Sequence, residues 1–451
     1  MPRTDLRRTR RTARIRAAGA VSVAVTLGAP TSALAATVAG DGRWYYDIPQ
    51  LAEVHQQTTG SGITIGLIDG RINTAVPDLV GADIQVHEPS YCAAAEGGEA
   101  YPAVTTDPDA RHATSMASLL VGTDAGLNGQ PGVPGVAPGA TLRVYAVGMG
   151  EGEACETPAG QPQPAGADAT RDQAVRDAIS DGVDVIAVPG DRRVSADAVA
   201  EALRAGIIVI GAAGNDTGIV TGAPATYNGV VSTGTVTSEA ELDLGSPSGP
   251  RLGVVAPGAA LRSISDAWDR YGESTGSSNS AAYTAGALAL AWSAHPDATS
   301  NQILQALALT TDGTVKDTPV HDDEWGYGLV NARTLISVDP TTYPDENPFL
   351  SDDPTLEPLA ADVLGAEEPT DEQPIDEQPA VEAPAPPDDG TTHDSDTGLP
   401  ALAIAGGAGA LLLAAGIVTA VLISRRRRST TPDPTTQAAQ QPPTSSGGHH
   451  G

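Results

Sequence analysis

The stretch ITIGLID at residues 63–69 decides the fold class. Six mostly apolar residues form a run of strand length, and a carboxylate, Asp69, follows at its end. A continuously apolar strand is typical of a parallel sheet that is covered on both faces, because a strand with one wet face would alternate. Asp69 at the exit of such a strand is a catalytic orienter, a ligand or a cap for the next turn.

Residues 43–338 repeat this pattern of short apolar runs separated by helical stretches. The predicted strands are residues 63–68, 142–147, 183–188, 207–211, 230–235 and 252–255. The predicted helices are residues 112–122, 169–181, 195–205, 280–294 and 300–310. This alternation predicts an α/β fold: a doubly wound, mostly parallel sheet with helices on both faces. In such sheets ligands bind beyond the carboxyl ends of the strands, so polar residues at that edge are site candidates.

Two further polar residues stand at predicted helix starts. His112 precedes the small-residue stretch ATSMASLL, and Ser278 lies in STGSSNSAAYTAGALAL at residues 274–290. Backbone N–H groups at a helix N-terminus can stabilise a developing oxyanion, and small side chains leave room for a substrate backbone. Taken singly, His112 also fits a cap or a surface position, and Ser278 fits an N-cap. The neighbouring Ser277 leaves a one-residue ambiguity in the register of a nucleophile.

The chain order of Asp69, His112 and Ser278 is the order of the subtilisin triad. Six blocks over about residues 43–338 resemble the subtilisin-like serine peptidases (family S8). They are GLID at 66–69, HATSMAS at 112–118, AAGND at 212–216, VVAPG at 254–258, GSSNSAA at 276–282 and GYGLVNA at 326–332. The resemblance implies a serine endopeptidase in which Ser278 attacks the peptide bond, His112 is the base and Asp69 holds the imidazole. It also implies that Asn215 donates its amide to the oxyanion.

The sequence departs from the family pattern at several positions. The family's Asp-Thr/Ser-Gly is Asp69-Gly70-Arg71 here, and its His-Gly-Thr is His112-Ala113-Thr114. Where a Ser-Leu-Gly substrate strand is expected, residues 187–191 read AVPGD, and Pro189 removes a backbone donor. These changes leave open a weak or inactive subtilase that is retained as a structural part of a membrane complex. An esterase on a similar sheet is disfavoured, because no Gly-x-Ser-x-Gly surrounds Ser278.

The two ends of the chain predict export and anchoring. Seven Arg, an apolar run and Ala33-Leu34-Ala35 predict a signal peptide at residues 1–35, with an uncleaved signal anchor as the alternative. Residues 398–424 predict a transmembrane helix, and residues 425–451 a cytoplasmic basic stop and disordered tail. The peptidase domain is then residues 36–339. Residues 340–397 hold 17 Asp/Glu and no Lys or Arg, which predicts a disordered, acidic, Pro-rich stalk.

This arrangement of ends and stalk resembles the mycosins, the membrane-anchored subtilases of type VII secretion in actinobacteria. The resemblance implies a single-pass protein of the cell membrane with its catalytic domain outside, extracellular or periplasmic, and a short cytoplasmic tail. It implies exported proteins or peptides as substrates and a type VII secretion membrane complex as a partner.

Composition limits the other functions. The net charge of −31 argues against nucleic-acid binding, because phosphate neutralisation needs clustered Lys and Arg. No histidine pair has metal-ligand spacing and no acidic loop has a calcium pattern, so no cofactor is expected and structural calcium is unsupported. Two cysteines are too few for a disulfide-dense scaffold or a Cys-based zinc site. In an exported protein Cys92 and Cys155 form one clip across loops beside the active site, or remain separate thiols.

Overall fold

A seven-stranded sheet forms the centre of the computed structural model, which describes residues 40–148, 155–160, 169–190 and 194–365. Strands β1 to β7 are Thr64–Gly70, Ile84–Val86, Thr141–Gly148, Val185–Val188, Ile208–Ala212, Val231–Val236 and Val254–Pro257. They lie in the order β2-β3-β1-β4-β5-β6-β7, and every neighbouring pair is parallel. The predicted doubly wound α/β fold is therefore confirmed. Because all strands run the same way, their carboxyl ends share one edge, and β1 lies inside the sheet between β3 and β4.

Helices and one hairpin complete the described part of the chain. Helices α1 to α9 are Trp44–Asp47, Leu51–Val54, Arg111–Val121, Ala169–Ser180, Ala196–Arg204, Ser277–Ala294, Ser300–Leu309, Ala332–Leu335 and Ala360–Leu364. An antiparallel hairpin, β8 (Leu261–Ile264) and β9 (Tyr271–Ser274), leads directly into α6. The sequence patterns did not predict this hairpin.

Two hydrophobic cores lie on opposite faces of the sheet, and strand β1 contributes side chains to both. Ile65 and Leu67 of β1 face a large core that includes buried residues of α3, α6 and α7. Ile68 faces a smaller core with buried residues of α4 and α5. The continuously apolar run of β1 is thus explained by burial on both faces.

Helix α6 is the central helix of the larger core and is almost entirely buried. Its small side chains let neighbouring backbone come close. A Cβ on Gly286 would lie 2.7 Å from the side chain of Val136, so glycine is required by the packing there. The same small residues fix the position of the helix start, where Ser277 and Ser278 lie.

The predicted stalk begins later than residue 340. Residues 340–365 belong to the described structure and pack on the peptidase domain, with Phe349 buried in the larger core. The fully buried Asn228 accepts a hydrogen bond from Ser351 N (2.8 Å) and donates to the carbonyls of Ser351 (2.8 Å) and Pro358 (3.2 Å). The prediction that the disordered stalk starts at residue 340 was wrong, because Phe349 and Asn228 hold a segment whose composition is otherwise polar and acidic.

Several predicted segments lie outside the described residues. They are the signal peptide (1–35), the rest of the stalk (366–397), the transmembrane helix (398–424) and the cytoplasmic tail (425–451). Within residues 40–365, as far as they are described, no helix has the length and apolar character needed to cross a membrane.

Candidate active site

Asp69 and His112 meet at the carboxyl edge of the sheet. Asp69 is near the end of β1 and is fully buried, and its Oδ1 accepts a hydrogen bond from Gly70 N at 2.7 Å. His112 Nδ1 lies 2.7 Å from Asp69 Oδ2 and 3.0 Å from Oδ1. A carboxylate only accepts hydrogen bonds, so this contact places the proton of a neutral imidazole on Nδ1. Nε2 then keeps its lone pair and can accept a proton.

The position of His112 follows from how α3 begins. A 3₁₀ turn at Pro108–Ala110 leads into α3, and His112 is the second residue of that helix. Thr114 fixes the turn, because its Oγ1 donates to Ala110 O (2.6 Å) and accepts from Asn73 N (2.9 Å). His112 keeps 38% of its side chain exposed, while Ala113 is fully buried in the larger core. The extra methyl of Ala113 is therefore accommodated by the packing.

Ser277 and Ser278 play different parts at the start of α6. Ser277 is buried: its backbone N and its Oγ donate to Asn215 Oδ1 at 2.8 and 3.1 Å, and its Oγ accepts from Gly214 N at 3.1 Å. Ser278 is only partly buried. The accessible hydroxyl at the helix N-terminus thus belongs to Ser278. Sequence alone could not make this distinction, and the structural role of Ser277 was not predicted.

Asn215 lies on the turn after β5, next to this helix start. With Oδ1 occupied by Ser277, its NH₂ group is the part that remains to donate. A Cβ on Gly276 would lie 3.1 Å from Asn215 Oδ1 and 3.3 Å from Nδ2, so only glycine leaves the amide its place. Asn279 was also missed from the sequence. Its Nδ2 donates to Gly258 O (2.9 Å) and so ties the Ala-Pro-Gly turn to α6.

The hairpin before α6 is fixed by a buried carboxylate. Asp78 is fully buried and accepts hydrogen bonds from Tyr271 Oη (2.7 Å) and Val133 N (2.6 Å). Burial raises the pKa of Asp78 above its usual value, and the two hydrogen bonds only partly oppose this effect. Burial and the bond to Asp78 also raise the pKa of the Tyr271 hydroxyl. This contact connects β9 to the loop that follows β1.

The structure also places three other residues that were named from the sequence, one proline and two cysteines. Pro189 is buried directly after β4, which pairs with β1 and β5 inside the sheet. Cys92 and Cys155 form a disulfide that joins the loop after β2 to the segment after β3. Among the described residues, no group of three or more His, Cys, Asp or Glu side chains is arranged to hold a metal ion.

The sequence matches the subtilase family (peptidase S8) over residues 60–328. It is 30% identical over 299 residues to subtilisin of Bacillus pumilus, and the aligned region covers 64% of this chain and 97% of that one. Subtilisin E of Bacillus subtilis (strain 168) has the same identity over 299 residues, with 64% of this chain and 70% of that one covered.

Solved structures have the same fold. MycP1 from the ESX-1 type VII secretion system gives a TM-score of 0.50 at 21% identity, over 68% of this chain and 88% of that one. Fervidolysin from Fervidobacterium pennivorans, a keratinolytic enzyme related to subtilisin, gives 0.50 at 18% identity, over 66% of this chain and 47% of that one. The family match and the shared fold agree, and the chain belongs to the subtilase family (S8) and is a serine-type endopeptidase.

Proposed function

We propose that this protein is a membrane-anchored, mycosin-like peptidase that cleaves exported proteins at the outer face of the cell membrane. In this proposal Ser278 is the nucleophile, His112 the general base and Asp69 the group that orients the imidazole. Asn215 donates a hydrogen bond to the oxyanion. The protein accompanies a type VII secretion system, and its substrates pass through that system.

The observation that carries the proposal is the Asp69–His112 contact at the carboxyl edge of the sheet. The Nδ1–Oδ2 distance of 2.7 Å holds the imidazole in the tautomer whose Nε2 can take a proton from a serine hydroxyl. When His112 becomes an imidazolium, the buried carboxylate stabilises its charge. The proton taken from Ser278 is later given to the leaving amine.

The start of α6 supports the assignment of Ser278 as the nucleophile. Ser278 is partly exposed, whereas the hydroxyl of Ser277 is bound to Asn215 and Gly214. The tetrahedral oxyanion would form beside the N-terminus of α6, where the NH₂ group of Asn215 and backbone N–H groups can donate to it. Pro189 cannot donate to an extended peptide, which favours a narrow range of substrates.

The cellular part of the proposal rests on the sequence. The basic and apolar N-terminus, the apolar run at 398–424 and the Arg cluster after it together predict a single-pass protein with its catalytic domain outside. The likeness of the fold to MycP1, whose structure is described as belonging to the ESX-1 type VII secretion system, supports the proposed association with such a system.

Labelling with a fluorophosphonate probe tests the catalytic assignment. We expect the full-length protein in detergent to be labelled, with the modified peptide mapped to Ser278. Ser278→Ala and His112→Ala should abolish labelling. Ser277→Ala is the matched control: it should keep the probe on Ser278, at a lower rate because Asn215 loses one hydrogen bond. A folded wild-type protein that takes no probe would refute the assignment.

Secretion experiments test the cellular role and separate it from a purely structural one. Fractionation should place the full chain in the cell membrane, with the peptidase domain accessible to external protease. If Ser278→Ala abolishes substrate cleavage and secretion continues, the chain acts as an enzyme there. If secretion fails only when the whole chain is deleted, and no substrate is cleaved, the chain is a structural component and the proposed role is wrong.

A further inference from the structure

Arg71 is a buried arginine at the edge of the active site. It follows the end of β1 and is two residues beyond Asp69, at a position where the family pattern has glycine. Its side chain is only 6% exposed. A buried guanidinium is stable only where carboxylates or other acceptors satisfy it, so its partners show what the position is used for.

Two carboxylates that bind Arg71 come from the segment that precedes α3. Arg71 Nε and Nη2 lie 3.0 and 2.7 Å from Asp109 Oδ2, and Nη2 lies 3.1 Å from Asp107 Oδ2. The guanidinium also lies 5.7 Å from the ring centre of Tyr101. Two N–H groups directed at one carboxylate oxygen fix both the distance and the orientation of the pair.

Asp109 lies in the 3₁₀ turn Pro108–Ala110, and His112 follows three residues later in α3. The Arg71–Asp109 pair therefore joins the end of β1 to the start of α3. The Asp69–His112 hydrogen bond joins the same two segments. Both links must change together if the turn moves relative to the strand.

We propose that Arg71 is a positioning residue: through Asp109 it holds the helix start that carries His112 against the strand end that carries Asp69. The pair also balances charge at the start of α3, because Arg71 offsets the carboxylate of Asp109, three residues before His112. This inference rests on the proposed catalytic role of His112. It concerns a residue that the family's motif does not contain.

The other charged groups around α3 either line a cavity or have partners of their own. Arg111, Asp266, Arg270 and Glu273 line one cavity between α3 and the β8–β9 hairpin. From the elements packed against α3, Asp78 binds Tyr271, Arg143 of β3 pairs with Asp181, and Arg262 of β8 donates to backbone carbonyls. Within the described residues α6 carries no Asp, Glu, Lys or Arg. The substitutions below leave all of these groups unchanged, so differences between variants report the Arg71–Asp109 pair.

The test measures the rate of fluorophosphonate labelling against pH on the full-length protein, per folded molecule. Arg71→Met should lower the rate by about tenfold or more, because small misplacements of a catalytic base are costly. It leaves the charge of Asp109 uncompensated, which favours the imidazolium and should move the acid limb of the profile up by about half a pH unit. Asp109→Asn removes one negative charge at the start of α3, while Arg71 keeps other partners such as Asp107, and it should move that limb down.

Two further variants separate charge from geometry. Arg71→Lys keeps the charge but loses the two-point contact, so the rate should fall while the acid limb stays in place. If Arg71→Met does not fold, the labelling rate of Arg71→Lys still tests the proposal. Arg176→Met is the matched control. Arg176 of α4 makes a two-point contact with Glu201 of α5 (2.9 and 3.1 Å), and these helices cover the face of the sheet opposite to α3. It should change neither rate nor profile.

Opposite shifts of the acid limb in the Met and Asn variants would support the inference. A purely structural role predicts less folded protein with an unchanged rate and an unchanged limb, and that result would overturn it. Equal shifts in the same direction would overturn it as well. If the wild-type protein is labelled, a negative result concerns Arg71 alone; if it is not, the proposed function fails first and the inference fails with it.

Discussion

Two asparagines at opposite edges of the same sheet show how this molecule separates chemistry from structure. Asn215, after the carboxyl end of β5, is exposed and uses its Oδ1 to bind Ser277. Asn228, before the amino end of β6, is fully buried and uses both ends of its amide to hold Ser351 and Pro358.

The difference between them is unused hydrogen-bonding capacity. In the described structure the NH₂ group of Asn215 donates to no protein group, whereas both ends of the Asn228 amide are engaged. A buried polar group must be fully satisfied to be tolerated, while a group that stabilises a transition state must have a donor to spare. The unused donor of Asn215 is what its proposed role at the oxyanion requires, and the fully engaged amide of Asn228 fits a structural role, although the residue type is the same.

The largest expected effect comes from Asn215→Ala. Removal of the spare donor should lower kcat by about 10²–10³, or about 3–4 kcal/mol of transition-state stabilisation, a loss known for this donor in a subtilisin itself. KM should change little, and the thermal midpoint should fall less than in the Asn228 variant, because Ser277 N and Oγ lose their shared acceptor but Asn215 itself is exposed. Steady-state kinetics on a substrate peptide and a thermal melt measure both. A loss of stability equal to that of the Asn228 variant would remove the distinction.

Asn228→Ala should show the opposite behaviour. Three side-chain hydrogen bonds disappear: the N–H of Ser351 loses its acceptor, and the carbonyls of Ser351 and Pro358 lose their donor. We expect a loss of about 2–4 kcal/mol in the free energy of unfolding and a lower thermal midpoint. The rate per folded molecule should stay near that of the wild type, which active-site titration with the fluorophosphonate probe would check. A lower rate per titrated site would mean that the 340–365 segment affects the active site.

These two residues also mark where sequence reasoning succeeded and where it failed. The predicted strands and helices agree with the structure to within about three residues, because continuous apolar runs and small-residue helices leave a periodic pattern. Asp69 and His112 were found because each lies at a visible boundary of such an element. Asn215 was found only through the resemblance of its AAGND block.

Other features left no local signal. Asn228 holds residues 351–358 through contacts more than 100 positions apart in sequence, and that segment has the composition of a disordered stalk. The Arg71–Asp109 pair spans 38 positions and appeared in the sequence only as a departure from a family pattern. The β8–β9 hairpin is short and largely polar, so it does not alternate clearly. Contacts of this kind depend on the folded chain and not on the periodicity of one segment.

A substitution at Gly276 tests whether the position of the Asn215 amide matters as well as its presence. A Cβ there would press on both polar atoms of Asn215, at 3.1 and 3.3 Å. Gly276→Ala should therefore move the donor without removing it, and we expect kcat to fall by about tenfold. Stability should fall as well, because Gly276 has a φ of +158°, a backbone conformation that alanine rarely adopts. Gly218→Ala is the matched control, because Gly218 also has a positive φ (+138°) and a Cβ there meets no atom within 4 Å. Equal kinetics for the two variants would show that the Asn215 amide tolerates displacement.

The smallest effect is a pH dependence at Asp78, which is buried like Asn228 but fixes the hairpin before the nucleophile. Its pKa is raised, mainly by burial, so the folded state holds its proton to higher pH than the unfolded state does. Below the unfolded pKa both states are protonated and the contribution to stability is complete. As pH rises through the folded pKa, the native state must bury a charge, and that stability is lost.

Asp78→Asn removes this titration while its Oδ1 can still accept from Val133 N and its amide can donate to the Tyr271 hydroxyl. The stability of the wild type relative to this variant should therefore fall as pH rises from below the normal aspartate pKa towards neutrality. Urea unfolding of both proteins across that range measures the difference. A difference that grows with pH would mean that the hydrogen bonds from Tyr271 and Val133 outweigh burial. Asp78 would then be a buried carboxylate that these hydrogen bonds stabilise as an anion.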